Sequence, residues 1–153
     1  MKGVYKMEST CNDVVFGEMS YKHRWYKQQK ISIFGKEWDI AVAAKAYSGK
    51  PITEAEQNAY KYFEENESKM VTVIGNQLKQ YVNDNLQELA TYWMGARSVN
   101  QIVELAQMVT PKTLLFKQDG TTVMLLDCLW DEDSGIAVKL APEVAVGSQD
   151  IFL

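Results

Sequence analysis

The chain is 153 residues long, 46% apolar and 24% charged, the balance of an ordinary globular protein. Four Trp, eight Tyr and five Phe exclude a disordered chain. No apolar run approaches the ~20 residues of a membrane helix, and the opening MKGVYKMEST lacks the apolar segment of a signal peptide. The net charge of −4 hides a gradient: residues 1–50 carry nine Lys/Arg against five Asp/Glu, whereas residues 118–153 carry Lys139 alone against seven acids. Two cysteines, Cys11 and Cys128, are too few for a disulfide scaffold, so reduced thiols and a cytoplasmic location are expected.

In chain order, a period close to two runs from Val14 to Ala44. Val14–Phe16 and a segment near Trp25 are candidate strands. In residues 30–34, Ile31 and Ile33 share a face; Gly35-Lys36 is a turn, and Trp38, Ile40, Val42 and Ala44 line one side of the next strand. Ser48-Gly49-Lys50-Pro51 closes the block as a loop.

The period then becomes 3.6. Thr53 and Glu56 form a capping box, with Ala55, Ala59, Tyr62 and Phe63 on one helical face. A second stripe runs Met70, Ile74, Leu78, Tyr81 and Val82. Asn83-Asp84-Asn85 interrupts it, and Asp84 with Gln87 caps a shorter helix through Trp93. Ser98 with Gln101 opens a last helix carrying Ile102, Val103, Leu105 and Ala106, and Pro111 ends the helical section.

Strands return at Thr113–Phe116 and Thr121–Trp130, joined by a turn at Gln118-Asp119-Gly120. The run VMLLDCL is apolar on both faces, the mark of a central strand. Asp131–Gly135 is the next turn, followed by alternation at Ile136, Val138 and Leu140, a turn at Pro142-Glu143 and a strand at Val144–Val146. No repeat, low-complexity tract or linker marks a boundary, so residues 1–153 are read as one α+β domain. It has a mostly antiparallel sheet from the N- and C-terminal strands, with three to four central helices packed on one face.

Chemistry-bearing motifs are sparse. The one histidine, His23, stands between Lys22 and Arg24, cations that oppose its protonation and weaken it as a base. No CxxC or His pair offers a zinc site. The Asp131–Gly135 turn resembles the start of a calcium loop but has Ala141 where the closing glutamate belongs. Neither GxGxxG nor GxxxxGK[ST] occurs. No catalytic set, metal or cofactor is therefore expected.

Asp127 fits its surroundings badly, lying between Leu126 and Cys128 in a strand that reads as buried. It is either a hydrogen-bonded or edge-facing residue, or a pocket acid with a raised pKa. Lys22, Arg24, Lys27 and Lys30 interleave with Tyr21, Trp25 and Tyr26 in a basic-aromatic pattern that can bind nucleic acid. The acidic C-terminal third suits a basic protein partner instead.

Phe16-Gly17-Glu18, Trp25, Ile31-x-Ile33-Phe34-Gly35, Ile52-Thr53-x-x-Glu56-Gln57-x-Ala59-Tyr60, Trp130-Asp131-x-x-x-Gly135-Ile136-Ala137-Val138 and Val146-Gly147-x-Gln149-Asp150 follow one another along nearly the whole chain. In this order they resemble a large bacterial family of uncharacterised α+β domains, some of them associated as immunity proteins with polymorphic or contact-dependent toxin systems. Ser134 replaces a histidine often found before the glycine of that W-D-x-x-x-G-I turn. The resemblance carries no functional residues over; it implies a fold and a binding role.

The leading expectation is a non-enzymatic cytoplasmic binding protein, an immunity protein neutralising a cognate basic toxin through Asp131, Glu132, Asp133 and Asp150. The alternatives are a hydrolase with a carboxylate site around Asp127 and a nucleic-acid binder through residues 21–30. No membrane partner is expected.

Overall fold

The computed structural model describes residues 9–47 and 50–153; Ser48 and Gly49 of the expected loop lie outside the described residues. The chain runs β1 (Ser9–Asp13), β2 (Gly17–Tyr21), β3 (Trp25–Ile33), β4 (Lys36–Ala44), α1 (Glu54–Glu65), α2 (Glu67–Asp84) and α3 (Leu86–Tyr92). A 3-10 turn (Ile102–Gln107) leads to β5 (Val109–Phe116), β6 (Thr122–Cys128), β7 (Ile136–Ala141), β8 (Ala145–Ser148) and a short 3-10 turn (Gln149–Ile151). The eight strands among the described residues form one sheet in sequence order. Every neighbouring pair is antiparallel except β4–β5, which is parallel, because the helical block between them carries the chain back across the sheet. The fold is thus α+β, with helices on a mostly antiparallel sheet.

The N-terminal strands differ in detail from the expected ones. Val14–Phe16 is not a strand but the β1–β2 turn: the Asp13 carboxylate accepts from Val15 N and Phe16 N, both at 2.9 Å, an Asx turn that takes these amides from any ladder. The strand expected at 30–34 extends back to Trp25. Its turn falls on Phe34-Gly35, since Ile33 pairs with Lys36 and both loop residues have positive φ, as a two-residue type I′ hairpin requires.

The Thr53–Glu56 capping box is present, but the buried face of α1 is Glu56, Tyr60 and Phe63, while Tyr62 is exposed. In α2, Met70, Ile74, Leu78 and Val82 are buried as the stripe predicts. Asp84 ends α2 and caps nothing. The junction is made by Asn85, whose side-chain amide donates to Tyr81 O at 2.8 Å. The expected Ser98 box is displaced by three residues: Glu104 accepts from Gln101 N at 3.1 Å and opens a 3-10 turn rather than an α-helix. Pro111 lies inside β5, buried, next to a register shift at Pro111/Thr113, the bulge at which a sheet tolerates a residue without an N–H.

The sheet buries both faces at its centre. On the helix side, Ile31, Ile40, Val42, Leu114, Phe116, Met124, Leu126 and Val138 pack with Tyr60, Phe63, Ile74 and Leu78. On the opposite side, Ala43, Leu115, Val123, Leu125 and Ala137 form a smaller cluster with Phe152 from the end of the chain. Residues 122–126 of β6 are therefore buried without interruption, as expected of VMLLDCL.

Candidate functional site

The acidic face is built by the turn after β6. Asp131 folds the turn on itself: its Oδ1 accepts from Ser134 N at 3.1 Å and its carbonyl from Gly135 N at 2.8 Å. Gly135 has φ +71°, and a Cβ there would lie 2.6 Å from Leu126 O and 2.5 Å from Gln149 Nε2, so only glycine fits. The Gln149 amide fills that space, donating to Leu126 O at 2.8 Å and Ile136 O at 3.4 Å. This clamp sets Asp150 beside the turn, where Ser134 Oγ donates to Asp150 Oδ2 at 3.4 Å.

Asp131, Glu132, Asp133 and Asp150 thus share one end of the sheet. Glu132, Asp133 and Asp150 are exposed and Asp131 is half-buried. None of the four belongs to the ion pairs among the described residues, Lys30–Asp39, Lys112–Asp127 and Lys139–Glu143, although Asp127 of the second shares a hollow with Glu132. The four carboxylates gather negative charge outside those pairs, and such a charge attracts a cationic surface.

Beside them lies a groove of about 450 Å³ between the α2–α3 junction and the turn, lined by Tyr81, Glu88, Leu89, Tyr92, Trp130, Asp131, Gly135, Ile136 and Ser148. The Trp130 ring stands 6.3 Å from both Tyr81 and Trp93, and Tyr92 is 70% exposed on the rim. Burial, and then the neighbouring Glu88 carboxylate, push the Tyr81 phenol above its ordinary pKa. Aromatic walls with acids at the mouth suit a Lys or Arg side chain, by cation–π contact and charge together. Sequence reading took Tyr81 for core and missed Glu88 and Tyr92; the adjacency of Trp130 to the acids was the available signal.

Asp127 is not buried. It occupies the strand position facing outward near the end of β6; its side chain is 61% exposed and 3.9 Å from Lys112 Nζ. It lines a hollow of about 270 Å³ with Glu132, Cys128 and Thr110. Alternation past Leu126 explains the placement: one more residue of the same strand lies beyond the cover that Phe152 gives the outer cluster. Cys128 faces the core, its thiol pushed up to about 11 by burial. No group of three or more His, Cys, Asp or Glu side chains is placed to hold a metal ion among the described residues.

The basic-aromatic segment is divided by its own strand. Lys27 turns toward the helices, donating to Phe16 O at 2.6 Å and lying 4.7 Å over the Tyr60 ring; burial holds its ammonium below the usual lysine range, opposed by Glu64. Lys30 pairs with Asp39 on the outer face at 2.8 Å. Trp25 is buried and its indole donates to Lys50 O, while Tyr21 Oη donates to Ala46 O. His23 and Lys22 are exposed at the hairpin tip, with Arg24 half-buried beside them. The segment does not present a continuous stacking surface.

A mostly antiparallel sheet roofed by helices, with an acid-rich turn clamped at one end, defines an α+β protein with a charged surface feature. The chain belongs to the family described as a domain of unknown function (DUF6985), whose model matches residues 15–153. No curated protein and no solved structure matches it. No helix of the described residues is long and apolar enough to cross a membrane.

Proposed function

We propose that the protein is a non-enzymatic binding protein that captures a basic protein, a toxin for which it serves as the immunity partner. One observation carries this reading: Asp131, Glu132, Asp133 and Asp150 gather at one end, outside every ion pair among the described residues, next to an aromatic groove. The acids would steer encounter, and the groove around Trp130 would supply the desolvated aromatic anchor that dominates interface energies. The two free thiols, Cys11 and Cys128, suit the cytoplasm, where such a complex would form.

The test is co-expression with each basic toxin encoded beside the gene, scored by cell survival and by inhibition of the purified toxin. The wild-type chain should rescue growth. The variant Asp131→Asn/Glu132→Gln/Asp133→Asn/Asp150→Asn should bind more slowly, by about tenfold or more at low salt. It should keep the turn, because the asparagine that replaces Asp131 still offers an acceptor to Ser134 N. Rescue from no neighbour-encoded toxin, or equal association rates for both chains, rejects the reading.

A further inference from the structure

The opposite end of the sheet carries another concavity, of about 640 Å³, within the ~300–1,000 Å³ range of small-molecule pockets. Three elements meet there: the β2–β3 turn with Arg24, the segment after β4 with Lys45 and Tyr47, and the β5–β6 turn with Lys117. Hydrogen bonds hold them in place. Tyr21 Oη donates to Ala46 O at 2.8 Å, Lys45 N to Phe116 O at 3.0 Å, and Lys117 N to Thr121 O at 2.8 Å. Lys22 N donates to Arg24 O at 3.0 Å, closing a turn in which His23 sits at φ +71°.

Arg24, Lys45 and Lys117 are each half-buried, and none belongs to an ion pair among the described residues. The acid on the rim, Asp119, is exposed and already accepts from Thr121 N at 2.9 Å. Three cationic side chains thus line one hollow, and an anion with several oxygens can draw charge-assisted hydrogen bonds from all of them. The Tyr47 ring, 76% exposed beside them, offers a flat apolar wall.

We propose that this pocket binds a phosphate ester, held by the Arg24 guanidinium and the Lys45 and Lys117 ammonium groups, with its organic part against Tyr47. The site does not depend on the acidic face, and its ligand is compact: beyond the pocket, Lys27 and Lys30 are already engaged by Phe16 O and Asp39 and extend no basic track for a polymer.

The test is titration of the ¹⁵N-labelled protein with pyrophosphate and with ADP at fixed ionic strength, followed by amide shifts. Saturable shifts confined to residues 22–24, 45–47 and 117–119 are expected. Arg24→Ala/Lys117→Ala should weaken binding by about tenfold or more, and Lys45→Gln should weaken it independently. Lys30→Ala should leave it unchanged. The three pocket side chains make no hydrogen bond among the described residues, so urea midpoints should match the wild type. Shifts that fail to saturate, or that persist undiminished in the double variant, overturn the proposal. So does a deoxythymidine oligomer that shifts these residues together with a track beyond them and is not displaced by pyrophosphate.

Discussion

Glu56 is a carboxylate placed where apolar side chains are the rule. It is fully buried; one oxygen accepts from Thr53 N at 2.8 Å and Thr53 Oγ1 at 3.1 Å, and the other has no partner among the described residues. Burial pushes its pKa above the usual carboxylate range, while the Thr53 hydrogen bonds pull it back. A folded-state pKa above the unfolded value of ~4.3 means the stability contributed by protonated Glu56 is fully present below that value. It is lost as pH rises through the folded pKa. Glu56→Gln keeps an acceptor for Thr53 and carries no charge, so the fall in urea midpoint between mildly acidic and neutral pH should flatten; an unchanged slope would refute this. At Gly135, alanine would strain the backbone and meet Leu126 O, which shifts only with the sheet. Gly135→Ala should cost about 2 kcal/mol or more, read from urea unfolding. The Thr53–Glu56 box was legible because its spacing is local. That Glu56 itself would be buried was not, since the helical face was set by Tyr60 against Phe16 and Phe116, contacts distant in sequence.

Among the elements, β6 shows what pattern can and cannot convey. Its unbroken apolar run was enough to expect a central strand covered on both faces. The second cover was not foreseeable: Phe152 follows a short 3-10 turn with no periodicity of its own, and that turn, anchored by the Gln149 clamp, sets it in the cluster with Ala137 and Leu125. Phe152→Ala should therefore cost about 3 kcal/mol, measured by chemical unfolding, and a loss below ~1 kcal/mol would mean the outer cluster contributes little. Misread boundaries share a cause. Asp13, Asn85 and Glu104 each satisfy backbone amides or carbonyls locally, and such side-chain competition is weakly encoded by hydrophobic period. The parallel β4–β5 pairing was equally hidden, because it depends on where the helical block between Ala44 and Val109 returns the chain.

At the scale of the molecule, the charge gradient was visible in the sequence but its geometry was not. Strand order converts a gradient along the chain into opposed ends: Arg24, Lys45 and Lys117 gather where β6 begins, and Asp131, Glu132, Asp133 and Asp150 where it finishes. Asp127 shows the limit of reading one strand in isolation; it faces outward beside Lys112, so Asp127→Asn should change stability by less than ~1 kcal/mol, as an exposed pair allows, checked by thermal unfolding. The seven residues of β6 span roughly 23 Å at ~3.3 Å each, against a screening distance of ~8 Å in physiological salt. The two poles are thereby insulated from each other: a guest at one should neither repel nor recruit a guest at the other, and heats of titration for the two should simply add. Diluting the salt tenfold stretches the screening distance to ~25 Å, and only then should filling the cationic pole sharpen the pull of the anionic one.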